Sequence, residues 1–304
     1  MQTQIAPTQA NCMAQRLKHE NENIFAASSI HTPLSLGENT HIELTTFMIF
    51  LLSPAKSLDY QTPVAKDVAH SLPQFVKQSA ELIGLLKHKT PLQIAALMDL
   101  SDQLSALNVA RYQAWSPKFT VKNSKQAILA FNGDVYDGLN AQTLNADDLA
   151  WAQMHIGMLS GLYGVLRPLD RMQPYRLEMG TRLANAHGSN LYKFWGTQIA
   201  DHINMRLASD KTPVVVNLAS QEYFKSVDRK ALQARVVECV FEEYKGGKYK
   251  VISFTAKRAR GMMARFAIEK RITTVKKLES FKTDGYAFDA SASEPDRLVF
   301  RRKV

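Results

Sequence analysis

The chain has few cysteines and no long apolar run, and each shortage excludes a class of protein. Cys12 and Cys239 are the two cysteines in 304 residues, so a disulfide framework is excluded and thiolates for an iron–sulfur cluster are lacking. No apolar run approaches the roughly 18 to 20 residues that a membrane span needs. The first 47 residues lack the compact apolar segment of a secretory signal. We therefore expect a cytoplasmic protein with no membrane partner and no cofactor.

Acidic charge is also in short supply over most of the chain. The formal net charge is +10. Residues 1–47 hold two cations against four glutamates, which leaves the remainder at about +12. A basic body of this size favours polyanionic partners such as nucleic acid. A basic surface that binds nothing would have the same composition, so the arrangement of the charges has to decide between the two.

The first 47 residues differ in composition from everything that follows them. They are rich in Gln, Asn, Thr and Ser and sustain no period of 2 or 3.6 residues. Such a segment cannot bury enough apolar area to offset the entropy of ordering it. We predict that residues 1–47 are an N-terminal extension, disordered on its own, and that residues 48–304 form a single domain.

Apolar patterns over residues 48–304 predict a mixed α/β fold. Strands are expected at Phe50–Leu52 and Pro213–Leu218, and a Gly246-Gly247 turn predicts a hairpin. Thr90 is expected to cap a helix whose apolar stripe includes Leu92. The remaining predicted elements are a helix at Pro73–His88, a strand at Ala127–Phe131, a long helix capped by Ser189, the second hairpin arm Lys248–Phe254, a helix at Ala256–Arg271 and closing strands at Gly285–Phe288 and Leu298–Arg301.

Five irregular stretches combine Gly or Pro with charged and aromatic residues. Backbone angles and polar contacts specify such segments, because they lack a regular apolar stripe. They are Ser53–Tyr60, Phe131–Leu139, Leu159–Gly180, Asn217–Val227 and Ala256–Phe266. With these five motifs in this order, the chain closely resembles the YaaA family of peroxide-stress-resistance proteins from Met48 to Arg302.

The resemblance implies a fold, a role and a partner. The fold is α/β: a single domain with a mixed, partly antiparallel sheet and surrounding helices, of the family's own type and not a Rossmann fold. The role is in oxidative stress, where the family is linked to limiting free iron and hence iron-driven damage to DNA. The partner is DNA, which members of the family are regarded as binding. Thr90–Trp115 loosely resembles a helix-hairpin-helix but lacks its Gly-x-Gly turn.

Cationic side chains in the motifs are the candidates for holding an anion. Lys56 and Lys225 each follow a predicted strand, so the two can line one cleft if the strands are neighbours. Arginine's fork suits phosphate oxygens. Gly261 in a predicted helix indicates that something approaches the backbone closely there. The candidates for anion or DNA binding are Lys56, Arg167, Arg176, Lys225, Lys257, Arg260 and Arg265.

Two acids are candidates for proton transfer, and each has a purely structural alternative. Asp59 could pair with Lys56 to hold a turn, and Glu222 could cap a helix that begins at Ser220. Acids such as Asp170 and Glu178 are expected to pair internally with the arginines beside them. No metal site is predicted, because no spacing demands Mg²⁺ at Asp59.

Two functions of different classes fit these residues. The first is a stress protein that binds DNA through a basic cleft. The second is an enzyme that acts on a phosphorylated or nucleotide-like small molecule in the same cleft. A deep pocket of less than about 1,000 Å³ would favour the second, and a long open basic surface would favour the first.

Overall fold

Short, fully buried apolar runs form the centre of the sheet in the computed structural model, which describes residues 47–303. Both MIFLL and VVVNL are buried along their whole length, as expected for strands covered on both faces. The strands of the described range are β1 (Met48–Leu52), β2 (Ser57–Leu58), β3 (Lys125–Gln126), β4 (Phe131–Asn132), β5 (Ile156–Ser160), β6 (Gly164–Leu166), β7 (Arg171–Met172), β8 (Val214–Leu218), β9 (Arg235–Lys245), β10 (Lys248–Lys250), β11 (Lys282–Thr283), β12 (Tyr286–Phe288) and β13 (Arg297–Lys303).

One sheet contains nine of these strands, in the order β11-β12-β13-β9-β8-β1-β5-β6 with β10 added to β9. Its centre is parallel: β13, β9, β8, β1 and β5 all run in one direction. Strands β6, β10 and β12 pair antiparallel to their neighbours. The carboxyl ends of the parallel strands therefore meet at one side of the sheet, here called the carboxyl edge. Strands β2-β4 and β3-β7 form two small separate sheets.

Helices surround this sheet, and those at Ala146–His155, Gln198–Leu207 and Ser253–Glu269 pack against β1. Over the described residues the helices are α1 (Val76–Lys87), α2 (Pro91–Met98), α3 (Asp102–Ala114), α4 (Ala127–Ala130), α5 (Asp134–Leu139), α6 (Ala146–His155), α7 (Leu191–Trp195), α8 (Gln198–Leu207), α9 (Gln221–Phe224), α10 (Ser253–Glu269) and α11 (Val275–Leu278).

Helices α5 and α10 cross at two glycines with almost no space between their backbones. A Cβ added at Gly261 would lie 1.7 Å from the carbonyl oxygen of Val135, and one added at Gly138 would lie 2.1 Å from that of Arg258. Only glycine permits this separation, because any side chain would overlap backbone atoms. The close approach predicted at Gly261 is confirmed, and the approaching group is a neighbouring helix.

Two predicted elements were wrong, one in its type and one in its bounds. The strand expected at Ala127–Phe131 is wrong, because residues 127–130 form helix α4 and only Phe131 and Asn132 are extended. The apolar run was too short for its period to separate helix from strand. The helix expected to start at Ser189 begins after Asn190, whose side chain accepts from the Lys193 N–H, and it breaks at Gly196, where φ is 47°.

Other predictions hold with adjusted boundaries. The Thr90 capping box is present, with Pro91 in the first turn, but Leu92 is 78% exposed and Ile94 is the buried residue of α2. The second hairpin arm ends at Lys250, because helix α10 begins at Ser253. The α/β class and the mixed sheet are confirmed. The extension predicted at residues 1–47 lies outside the described residues, apart from Phe47.

Candidate functional site

The loops that follow β1 and β8 interlock at the carboxyl edge. The Ser220 N–H donates to Ser53 Oγ at 2.8 Å, and the two hydroxyl groups lie 3.3 Å apart. The Tyr136 hydroxyl donates to the Ser53 carbonyl oxygen at 3.0 Å. Because β1 and β8 are direct neighbours, the Lys56 and Lys225 loops lie side by side, as their positions after two neighbouring strands require.

Glu178 lies beside the β1 loop and joins two candidate cations. Its Oε1 accepts from Arg176 Nε at 2.9 Å and lies 3.6 Å from Lys56 Nζ. Within the described residues its other oxygen, Oε2, is buried and has no hydrogen-bond partner. Lys56 is 69% exposed, so this pair leaves most of its ammonium in solvent. The internal pairing of Arg176 and Glu178 expected from the sequence is confirmed.

Neutral phenols surround this carboxylate. Burial raises the pKa of Tyr112, Tyr175 and Tyr223 above their ordinary value. The Tyr112 hydroxyl donates to the Arg176 carbonyl oxygen. The hydroxyl groups of Tyr175 and Ser160 lie 2.6 Å apart, which connects the cluster to the end of β5. These contacts position the loops, and protonated phenols do not act as bases at neutral pH.

Glu222 links loops and does not cap a helix. Its Oε1 accepts from the Gly180 N–H at 3.0 Å, and its carbonyl oxygen accepts from the Tyr192 hydroxyl at 2.9 Å. The Ser220 N–H at the start of helix α9 donates to Ser53 Oγ and not to Glu222, so the capping alternative was wrong. Lys225 Nζ lies 5.1 Å from the centre of the Tyr192 ring, in a cation–π contact.

Asp59 is held in its ionised form. Burial raises its pKa, but hydrogen bonds from Thr62 and Gln61 and the charge of Lys125 outweigh that and lower the pKa to about 2. Its Oδ2 lies 3.4 Å from Lys125 Nζ, so its partner is Lys125 and not Lys56. A carboxyl with this pKa has no proton to donate at neutral pH.

Two candidate arginines, Arg265 and Arg167, make contacts away from the carboxyl edge. Arg265 donates to the carbonyl oxygens of Leu139 and Asn140 at 3.1 and 2.9 Å, which satisfies the end of α5. Arg167 pairs with Asp170 at 3.1 Å. It follows β6, whose antiparallel register takes the chain back towards the start of β5, so Arg167 lies near the opposite edge.

Arg260 and Lys257 share helix α10 but differ in environment. Burial lowers the pKa of the Arg260 guanidinium, which faces Cys239 and Glu238 of β9. Lys257 is exposed, one turn into the helix. The structure therefore places Lys56 and Arg176 on either side of Glu178 and Lys225 on the adjoining β8 loop. It places Arg167, Arg260 and Arg265 against other elements.

The cluster encloses almost no space. The cavity lined by Lys56, Glu178, Tyr223 and their neighbours is about 10 Å³. A small organic ligand needs roughly 300 to 1,000 Å³. A ligand at this part of the molecule would therefore bind on the surface and not in a cavity.

The β9-β10 hairpin is a cationic feature that the sequence reasoning missed. Strand β9 pairs with β8 only as far as Glu238 and then continues for seven residues, roughly 20 Å of strand, beyond that pairing. Lys245, Lys248 and Lys250 are exposed on it. No carboxylate of residues 47–303 lies in ion-pair distance of them. The KGGKYK spacing around the turn was the available signal.

Aromatic rings line the other face of this hairpin, because successive side chains of a strand point to opposite faces. The rings of Tyr244 and Tyr249 pack across the hairpin with centroids 5.2 Å apart. Lys303 Nζ lies 5.5 Å from the Tyr244 ring, and the Arg301 guanidinium lies 4.4 Å from the Tyr249 ring. Basic side chains interleaved with aromatic ones are typical of surfaces that contact nucleic acid.

The described residues contain neither a cluster of metal ligands nor a membrane-spanning helix. Between Phe47 and Lys303 no group of three or more His, Cys, Asp or Glu side chains is placed to hold a metal ion. None of the helices in that range is both long enough and apolar enough to cross a membrane.

Comparison with known proteins gives consistent matches over the described range. The family model described as peroxide stress protein YaaA matches residues 48–292. A UPF0246 protein of Albidiferax ferrireducens is 69% identical over 256 residues, which cover 84% of this chain and 98% of that protein. UPF0246 proteins of Paracidovorax citrulli and Polaromonas sp. are 66% and 68% identical, each over 84% of this chain and 99% of their own length.

Proposed function

We propose, on the premise that this chain belongs to the peroxide stress protein YaaA family, that it binds DNA at the carboxyl edge and limits iron-driven damage there. The family supports a role in peroxide stress. The observation that supports DNA as the partner is the hairpin. Lys245, Lys248 and Lys250 are exposed on it, and on its other face two tyrosines pack against basic side chains. Contacts of this kind recognise the phosphate backbone and not the base sequence.

Charge repulsion within the hairpin also supports DNA as the partner. Lys245 and Lys248 stand directly opposite each other across the two strands. Like charges in that position destabilise a hairpin. A polyanion bound there would remove the repulsion, because its phosphates lie between or beside the two ammonium groups.

The adjoining loops extend the basic surface. Lys56 and Lys225 lie on the β1 and β8 loops, and Lys257 lies near the start of α10, directly after the hairpin. The cavity between these loops is about 10 Å³. An extended polyanion needs surface and not an enclosed pocket, so the geometry favours DNA over an enzyme that holds a small phosphorylated substrate in the same cleft.

Protection against peroxide need not involve a reactive thiol. Cys239 is buried in β9, and burial raises the pKa of its thiol to about 12. The thiolate is the species that reacts with peroxide. Since Cys239, the cysteine of the described residues, stays protonated at neutral pH, we propose that protection follows from occupation of the DNA.

The test measures duplex affinity against salt for Lys245→Gln/Lys248→Gln and for Lys211→Gln/Lys230→Gln. The control lysines are exposed and precede β8 and β9, at the opposite edge of the sheet. Fluorescence anisotropy with a short duplex between about 50 and 200 mM salt should show a log–log slope smaller by about 2 in the hairpin variant. The control variant should keep the slope of the wild type.

Two results would contradict the proposal. One is affinity that does not change with salt in the wild-type protein. The other is an equal loss in both variants, which would assign binding to net charge alone. Protection is tested separately by the nicking of plasmid DNA with ferrous iron and hydrogen peroxide, where the hairpin variant should protect less than its control.

A further inference from the structure

A second cationic region is concave, unlike the hairpin. A cavity of about 600 Å³ lies between the segment from Tyr60 to His70 and strand β3 with its preceding turn. Its size falls within the range of roughly 300 to 1,000 Å³ that small-molecule sites occupy. The remaining wall is Arg171, at the start of β7.

The charges that line this cavity have one sign. Lys66, Lys122, Lys125 and Arg171 line it, with His70 at its margin, and within the described residues neither Asp nor Glu does. Asp67 lines the neighbouring cavity instead. Four cations around one concave space repel one another unless an anion or solvent screens them.

One of these cations is buried without a carboxylate partner. Arg171 is 8% exposed, and its Nη1 donates to the Ser124 carbonyl oxygen at 3.3 Å. No Asp or Glu between Phe47 and Lys303 forms an ion pair with it. Lys125 differs, because Asp59 lies 3.4 Å from its Nζ and the Thr62 carbonyl oxygen accepts from it at 3.0 Å.

A buried guanidinium that lacks a counter-charge is costly to the folded chain. An anion in the cavity would remove that cost, and the planar fork of arginine matches phosphate oxygens. With Lys125 neutralised by Asp59, three cations are left, which suits a ligand of two or three negative charges. Hydrogen bonds from Gln126 Nε2 to the carbonyl oxygens of Val68 and Ala69 hold the wall in place.

Space and lining indicate that the ligand has an organic part. Tyr60, Pro63, Val64, Val68 and Val121 supply apolar surface to the same cavity. A bare phosphate would fill only a fraction of about 600 Å³. We propose that this cavity binds a small organic phosphate of the nucleoside monophosphate or diphosphate class, at a site separate from the DNA surface.

The test is calorimetric titration of the full chain with pyrophosphate, AMP and ADP. Lys66→Gln/Lys122→Gln removes two exposed cations without disturbing the core, and Lys77→Gln/Lys118→Gln is the matched control, since both control lysines are exposed outside the cavity. We expect Kd to rise roughly tenfold per lysine in the first variant. The control should bind like the wild type.

The same proteins are then titrated with duplex DNA. Unchanged duplex affinity in Lys66→Gln/Lys122→Gln supports a separate site. The proposal fails if wild-type protein binds none of the three probes with Kd below about 1 mM, or if the variant binds them as tightly as the control. It also fails if duplex affinity and phosphate affinity fall together in Lys66→Gln/Lys122→Gln, because the cavity would then be part of the DNA surface. If the wild-type protein binds no duplex DNA, the proposed function fails but the phosphate result still stands.

Discussion

Helix α10 and the hairpin just before it are both rich in cations, yet the fold uses the two sets differently. In α10, Arg265 donates to the end of α5 and Arg258 lies 3.4 Å from Asp284. In the hairpin, Lys245 and Lys248 face each other, and no acid of the described residues forms an ion pair with either of them. The number of cations therefore does not identify a binding surface. A surface is a candidate where its cations lack acidic or carbonyl partners within the protein.

The largest expected effect comes from the helix crossing that fixes α10. Gly261→Ala would place a methyl 1.7 Å from the Val135 carbonyl oxygen, so α5 and α10 must separate. We expect a loss of about 3 kcal/mol or more in the free energy of unfolding. Urea unfolding measures it.

Gly84→Ala is the matched control for that substitution. Gly84 lies within α1, and a Cβ there would meet nothing within 4 Å. The control should gain about 0.5 to 1 kcal/mol, because alanine lowers the entropy of the unfolded chain. Equal stability of the two variants would show that α5 and α10 are not held at this distance.

Low pH should destabilise the folded protein through a buried histidine. His155 is 8% exposed, and burial lowers its pKa to about 4. The unfolded chain binds this proton at higher pH than the folded one, since the ordinary value is 6.5. Stability is therefore full above about pH 6.5 and falls as pH drops towards 4, by about 3 kcal/mol from this group.

Comparison of wild type with His155→Gln isolates that contribution. His155 Nδ1 lies 2.9 Å from the Met48 carbonyl oxygen, a contact that glutamine can replace with its amide. The difference in unfolding free energy between the two proteins should change with pH between 6.5 and 4. A constant difference over that interval would contradict the assignment.

A smaller effect is expected where an arginine of α10 acts as a cap. Arg265→Met keeps the aliphatic stem and removes the donors to Leu139, Asn140 and Thr143. We expect a loss of about 2 kcal/mol with duplex affinity unchanged. Arg258→Met, which breaks an exposed pair, should cost about 0.5 kcal/mol; a loss of duplex affinity in Arg265→Met alone would move this residue to the DNA surface.

The sequence predicted contacts between residues that are close in the chain better than contacts between distant segments. Local signals succeeded: Thr90 caps its helix, and Arg167 and Arg176 pair with acids two or three residues away. Gly261 was predicted to have a close neighbour, because a helix interior tolerates glycine poorly. Each of these predictions needed only residues that are close together in the chain, or a single glycine at an unfavourable position within a helix.

Contacts between distant segments could not be predicted in the same way. Nothing in α10 indicates that Arg265 reaches the end of α5, more than 120 positions away. Asp59 was expected to act beside Lys56, but Lys125 takes that place. In the same way the cavity beside Arg171 joins three segments that are far apart in the chain. One sequence gives the residue types, and the register of the strands decides which of them meet.

A charge reversal in the hairpin has the smallest expected effect on stability, and it separates the role of the hairpin lysines in stability from their role in DNA binding. Lys248→Glu replaces a like-charge pair with an opposite-charge pair across from Lys245, so the free energy of unfolding should rise by a few tenths of a kcal/mol. Duplex affinity should fall all the same, because a phosphate contact becomes a repulsion. Stability and affinity measured on one protein preparation should thus move in opposite directions. If both rise, the hairpin lysines are a solvated surface and DNA binds elsewhere.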